Sequence, residues 1–399
     1  VSFDIVIVGA GIVGASTAWQ LQQSHPRLRI LLLEKESAPG QHQTGRSSGV
    51  IHAGVYYEPG SLKAQFCRAG LEATLAFCRE HAIPYSQCGK LLVATNELEL
   101  ERMTRLGERC AANGIDFEVL DQRRLREAEP AVAGLGAIHV PATGSVSFRA
   151  ICRRMLENFT ALGGSVRFNT EVSRLTEQSD SVRLQAGSET LSTGFLLTCA
   201  GLQSDRLARQ QGFAGDYRIV PFRGEFFALA PGKHDLIRRH IYPIPDPALP
   251  FVGIHLTRMI DGGISVGPNA VLALAREGYG KAAFSLRDFS ATLAFPGFWR
   301  LGAKYWRTGL QEQWSSWNRR AYLERVRQYC PSLDSGDLRP HPAGIRAQAV
   351  RLDGAFIHDF LFAGGSRTLH VCNAPSPAAT SAIPIGAHLV SLIQGKLQL

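Results

Sequence analysis

No stretch of the chain approaches the roughly 18 to 20 consecutive apolar residues that a bilayer-crossing helix needs. The eight cysteines, Cys67, Cys78, Cys88, Cys110, Cys152, Cys199, Cys330 and Cys372, are scattered. With no CxxC pair and no histidine cluster beside them, a metal site and a disulfide scaffold are both disfavoured, no metal is expected, and a reducing compartment is indicated. An apolar strand pattern begins almost at residue 1, so no leader peptide is expected and the chain reads as cytoplasmic. Internal repeats and low-complexity tracts are missing too. What remains is a globular composition: 399 residues, 45% hydrophobic and 19% charged, enough for two domains with sizeable cores.

The stretch from Phe3 to Glu34 organises the rest. Phe3-Asp4-Ile5-Val6-Ile7-Val8 predicts a strand, Gly9-Ala10-Gly11-Ile12-Val13-Gly14 a glycine turn, Ala15 to Gln23 a helix, and Arg29 to Leu33 a second strand ending in Glu34. The apolar runs are continuous, as in strands buried on both faces of a parallel sheet. Gly9 suits the tight turn, Gly11 lets backbone approach a pyrophosphate, and Gly14 lets helix and strand pack closely. The phosphates then lie on the unpaired N–H groups of the helix N-terminus, and Glu34 is placed for a ribose diol. The fingerprint alone leaves FAD and NAD both open.

Downstream, the polar loop from Gln41 to Tyr57 offers hydroxyls and N–H groups of the kind a second phosphate contact uses. Helices are predicted over Leu62 to His81, Glu97 to Asn113, Asp121 to Glu129 and Arg149 to Leu162, and strands at Gly89 to Ala94, Gly136 to Pro141 and Val166 to Thr170. Val182 to Leu184 with Thr190-Leu191 predicts a hairpin, followed by a separate buried strand, Phe195 to Gly201. From Arg218 the strands alternate with period two (Phe222 to Leu229, His240 to Pro243, Phe251 to Leu256, Ile264 to Gly267), suggesting an antiparallel sheet lining a cavity. Ser376-Pro377 reads as the N-cap and first position of the last helix. The fold class is therefore α/β: a Rossmann-like cofactor domain with a mostly parallel sheet (1–85, 148–212 and 336–399) plus a substrate domain built on an antiparallel sheet with helices (86–147 and 213–335).

The net charge of +9 is concentrated. From Arg276 to Arg327 there are ten basic against four acidic residues, together with four of the five tryptophans, Trp299, Trp306, Trp314 and Trp317. Such a mixture suits peripheral contact with anionic lipid on the inner face of a membrane. Packing of these aromatics on the body or on a partner subunit is the equal alternative. Nucleic acid is not expected as a partner, since no recognised binding module surrounds the patch.

Taken together, the pieces resemble the FAD-dependent oxidoreductases of the D-amino acid oxidase superfamily over nearly the whole chain. Within it, His42 to Gly45, Ser47 to Tyr57, Pro221 to Glu225, Tyr242 to Pro245, His255 to Arg258, Gly267 to Ala270 and Asn373 to Ser381 are similar to the L-2-hydroxyglutarate dehydrogenase/oxidase family. The resemblance implies FAD and the oxidation of L-2-hydroxyglutarate, a small dicarboxylate, to 2-oxoglutarate, with electrons passing to oxygen or a membrane quinone. It also implies that Gly9, Gly11, Gly14, Glu34 and Lys35 hold the ADP half, and Thr44, Ser47 and Ser48 the pyrophosphate and flavin side. Val172 would meet the adenine, Ala200 and Gly201 the cofactor's path, and the helix start at Ser376, Pro377 and Ala378 the pyrimidine end of the isoalloxazine. Independently, only one dinucleotide fingerprint is found, so the organic substrate is expected to supply the hydride.

Such a reaction needs C2–H aimed at flavin N5, a base for the hydroxyl proton, and cations for the carboxylates. Arg223 and Arg346 are the expected carboxylate partners, because a guanidinium matches a carboxylate bidentately. His52 and His255 are the base candidates, and Tyr57 and Tyr242 the expected cavity lining. Lys63, Arg258 and Asn269 are lesser candidates. Three rivals stay open: a glycerol 3-phosphate dehydrogenase, disfavoured by Tyr56 where an arginine is usual, an amino acid oxidase, and a flavoprotein that binds nucleic acid or another partner.

Overall fold

The computed structural model of the protein describes residues 3–249 and 252–398. Its centre is an eight-stranded sheet in which Phe3–Val8 lies between Glu189–Thr198 and Ile30–Leu33, parallel to both. Ser165–Arg167 extends it in parallel beside Ile30–Leu33, and Thr368–Asn373 runs parallel to the end of Glu189–Thr198. The first strand's Ile5 to Ile7 are wholly buried, as continuous apolar runs require when both faces of a sheet are covered. One face carries the helices Ile12–Ser24, Phe148–Ala161 and Ala382–Leu397, whose apolar stripes merge with Ile5, Ile7, Leu197 and Leu369 into one core. The other face is closed by the antiparallel strands Val172–Glu177 and Val182–Ala186 and by Leu207.

A nine-stranded sheet forms the second layer system. Its spine is Tyr217–Leu229 paired antiparallel with Leu338–Arg351, continued through Ile264–Gly267, His255–Arg258 and His240–Pro243 to Lys90–Ala94. The last of these junctions is parallel, with His240 opposite Lys90.

The fold is thus mixed α/β with a largely parallel sheet, as the sequence indicates, but it departs from the expectation at four places. The hairpin arm and the buried strand near 195 are one ten-residue strand, Glu189–Thr198, because Leu191 to Thr198 keeps a single strand course from edge to centre. Leu338–Arg351 pairs with the antiparallel sheet, whereas a boundary at 336 would assign it to the parallel one. The strand expected over 251–256 appears at His255–Arg258, and Phe251 lies outside the described residues. Finally, the last helix begins at Ala382, not at Ser376. Pro384 decides this: lacking an N–H and clashing with the carbonyl four residues back, it is tolerated only in a first turn. Residues 376–381 instead form consecutive turns, with Ala378 N–H donating to Pro375 O and Ser381 N–H to Pro377 O.

Candidate active site

A cavity of about 950 Å³ runs from the glycine turn across the end of the parallel sheet to the antiparallel one. At the first end, Gly11 caps the Ile12–Ser24 helix without any side-chain cap, and Gly9 has φ +105°. A Cβ on Gly14 would lie 2.0 Å from the Gly9 carbonyl oxygen, so only glycine lets the helix close on the turn; Gly14 itself does not line the cavity. The N–H groups at a helix start beside a cavity are the donor set that a pyrophosphate requires. Glu34 accepts from Ala10 N–H at 2.7 Å and from Glu36 N–H at 3.0 Å, bracing the turn while lining the cavity. Thr44 reaches over the helix start, its Oγ1 accepting from Ile12 N–H at 3.0 Å, and Ser47 and Ser48 follow it along the wall. Val172, Ala200 and Gly201 line the same stretch. Lys35 does so as well, but its ammonium is engaged by Glu36 and Glu277.

Ser376, Pro377 and Ala378 border the cavity as a turn rather than a helix N-terminus, which removes the helix-dipole argument for an anionic flavin at this place. The turn is held against the Leu62–Glu80 helix: a Cβ on Gly70 would come within 2.4 Å of Thr380 O. Thr380 Oγ1 in turn accepts from His52 N–H at 3.1 Å, tying the turn to the loop that carries the histidine.

The far end gathers His52, His255, Tyr57, Tyr242, Lys63 and Arg346. His255 stacks on Tyr242 with ring centroids 3.8 Å apart, and its Nδ1 meets Thr257 Oγ1 at 3.1 Å. Burial, reinforced by the Lys90 charge and by competition with the nearby His240 ring for a proton, pushes the His52 imidazole down to about 3. Burial also drives His255 well below its ordinary value, with Arg346, His52, His240 and Lys90 adding to the effect. Both rings are therefore neutral near pH 7, the form in which an imidazole accepts a proton. Burial lowers Arg346, where Glu312 and Tyr242 act in the opposite direction, and lowers Lys63 to about 8. The phenols of Tyr57 and Tyr242 are pushed up by burial and stay protonated.

Arg223 is not part of this end. It is 4% exposed, donates through Nη2 to Glu225 Oε1 at 2.8 Å and through Nη1 to Gly280 O at 3.0 Å, and does not line the cavity. Residues 223 and 225 share one face of a strand, and the acid takes the guanidinium that had been expected to meet substrate. Among the lesser candidates, Arg258 donates to Ile237 O and Asn269 bonds Glu225, both away from the cavity. Sequence reasoning overlooked His358 and the rim of Arg102, Arg105 and Arg109, which also line it. The three arginines follow helical spacing within Glu97–Ala112, a face that could have been read from the sequence as basic.

The description of the matching family model is DAO, FAD dependent oxidoreductase, and it spans residues 4–392. The chain belongs to this family. It is 55% identical to the L-2-hydroxyglutarate dehydrogenase of Escherichia coli (strain K12), over 98% of this chain and 93% of that protein. To the mitochondrial L-2-hydroxyglutarate dehydrogenase of Homo sapiens it is 40% identical, over 100% of this chain and 90% of that one. Among solved structures, the FAD-bound L-alpha-glycerophosphate oxidase of Mycoplasma pneumoniae superposes with a TM-score of 0.79 at 20% identity, covering 99% and 95% of the two chains. The glycine oxidase of Geobacillus kaustophilus superposes at 0.75 with 18% identity, covering 99% and 95%. These likenesses establish the shared fold. The protein is an FAD-dependent oxidoreductase, and the uncapped helix start with the surrounding glycine and hydroxyl wall fits the cofactor's pyrophosphate.

Proposed function

We propose that the protein oxidises L-2-hydroxyglutarate to 2-oxoglutarate. The observation that carries this reading is the far end of the cavity: two neutral imidazoles beside half-buried Arg346 and Lys63, opening on the same space as the cofactor cradle. Relatives covering almost the whole chain carry the corresponding name.

FAD, when bound, supplies the two-electron acceptor for the hydride from C2. The chain supplies the rest. Arg346 offers a bidentate donor to one carboxylate, and Lys63 a second cation within the same enclosure. The His255 ring is held flat by Tyr242, and its Nδ1 contact with Thr257 leaves Nε2 without a hydrogen bond to a described residue. Either His255 or His52 takes the hydroxyl proton as the carbonyl forms. Protonated tyrosines and apolar lining exclude water and strengthen these charge interactions.

The decisive experiment is anaerobic mixing of the purified yellow protein with L-2-hydroxyglutarate, its D enantiomer, glycerol 3-phosphate and L-proline in separate runs. Bleaching of the flavin band near ~450 nm by the L-hydroxy acid alone is expected. Bleaching by the phosphate or the amino acid instead overturns the substrate.

We also read the tryptophan-rich segment as a membrane-facing surface, which favours a quinone over oxygen as electron acceptor. Trp299, Trp306, Trp314 and Trp317 of the Pro296–Trp317 helix are 54–67% exposed. Among described residues no helix is long and apolar enough to cross a membrane, so contact would be peripheral. The expected patch must be trimmed at its start: Arg276 is buried in an ion pair with Asp205 and contributes no surface charge.

A further inference from the structure

Lys90 is 0% exposed, and its ammonium has no hydrogen-bond partner among the described residues. It opens the apolar strand Lys90–Ala94, at the position paired with His240 in the neighbouring parallel strand. Its Nζ lies 4.8 Å from the ring centre of Tyr56 and 4.8 Å from that of Tyr242. Tyr242 is the ring on which His255 stacks, and both tyrosines line the cavity while Lys90 does not. The lysine therefore stands directly behind the wall of the substrate end.

A buried cation without an acid is costly. No described carboxylate forms an ion pair with Lys90, and two aromatic faces replace only part of its hydration. A position that needed only packing would be filled more stably by an apolar side chain of the same length, as in the Leu-Leu-Val run that follows it. The charge itself has to serve something nearby.

On the reading that the substrate is a dicarboxylate, we infer that Lys90 is an electrostatic positioning residue of this site: its charge, felt across Tyr56 and Tyr242, favours the dianion in the cavity and disfavours a second positive charge on His52 or His255. The groups that share its field are few. His240 comes from the adjacent strand and His255 from the next one, with Arg346 acting on His255 from Leu338–Arg351; His52 comes from the loop that ends at Tyr57, and the thiols of Cys67 and Cys110 from two helices. The histidines and the arginine are neutral or positive and the thiols are held protonated by burial, so nothing in this set cancels the lysine. Burial lowers Lys90 to about 8, which puts the loss of its charge in a range that kinetics can reach.

The test compares wild type, K90M and K90R, each loaded with FAD. For wild type, kcat/KM for L-2-hydroxyglutarate should decline as pH rises through about 8. K90M, which keeps length but not charge, should lose about tenfold or more in kcat/KM, chiefly through KM, and its alkaline limb should shrink to the part that Lys63 contributes. K90R should retain efficiency and carry the limb to higher pH, because a guanidinium does not titrate there. K90M should also melt at the same or a higher temperature than wild type, since an unpaired buried charge has been removed. A K90M protein with the wild-type limb and efficiency overturns the inference, and assigns the limb to Lys63. So does a K90M protein that is merely less stable with unchanged kinetics per flavin. Histidine NMR gives an activity-free readout: the His52 titration should move up in K90M, and an unmoved titration overturns the proposal. If the wild-type flavin is not bleached by L-2-hydroxyglutarate, the substrate reading fails, while the histidine titration still decides the role of Lys90.

Discussion

At Gly14 the backbone itself sets the specificity of the position, since any β-carbon would be driven into the Gly9 carbonyl. Gly14→Val should therefore yield protein that purifies with little or no flavin, read as the ratio of 450 to 280 nm absorbance. Arg346 is limited by chemistry instead. Arg346→Lys keeps the charge but loses the planar fork, so KM for L-2-hydroxyglutarate should rise about tenfold or more with a smaller change in kcat. Equal loss in both would mean that the arginine acts on the reacting centre rather than on a carboxylate. The sequence does not separate Arg346 from Arg223 on residue type alone, because both lie in glycine-containing, strand-like blocks. The distinguishing signal was Glu225, two positions from Arg223 and so on its strand face. Lys90 was equally legible, as the lone charge opening the run Leu91-Leu92-Val93-Ala94, yet a strand pattern by itself does not say that the lysine is wholly enclosed.

Among the elements, those with strong local signals were readable within a residue or two. The helices Leu62–Glu80, Glu97–Ala112 and Phe148–Ala161 all begin at a side-chain cap, provided by Ser61, Asn96 and Ser147. The last helix misled because two start signals compete, Ser376-Pro377 and Pro384, and only the second is compatible with an uninterrupted helix through Leu397. For the Pro296–Trp317 helix the composition was informative and the placement was not. Its indoles face solvent, the arrangement that interfacial binding requires. Replacing Trp306, Trp314 and Trp317 together by alanine should leave substrate-driven flavin reduction unchanged and reduce co-flotation with anionic vesicles by about tenfold or more. Equal flotation of variant and wild type would assign these side chains to protein contact instead.

Across the whole molecule, the parallel sheet was legible because its strands are continuous apolar runs joined by a short helical crossover. The spine of the other sheet was not, because Tyr217–Leu229 and Leu338–Arg351 pair across more than a hundred residues and periodicity carries no information on such long-range partners. That long-range sheet and the parallel one together enclose several imidazoles. His52 and His240 are held at about 3 and His370 at about 4, in each case chiefly by burial, and His255 lies well below its ordinary value. In the unfolded chain the same rings titrate near ~6.5. Between those values the unfolded state binds protons that the folded state refuses, so folding stability falls as pH drops from about 6.5 toward about 4. Each such ring contributes a slope approaching ~1.4 kcal/mol per pH unit. Carboxylates lowered by their partners, such as Glu36 and Asp288, add their share only at lower pH, because their unfolded values lie near ~4. Urea midpoints measured at pH 7.5, 6.0 and 5.0 should therefore decline already across the upper interval. His370→Gln, at a residue that does not line the cavity, should flatten that decline without altering substrate-driven flavin reduction. A midpoint constant from pH 7.5 to 5.0 would mean that the rings take up protons in the folded chain near their ordinary value, and would overturn the burial-driven lowering of these histidines.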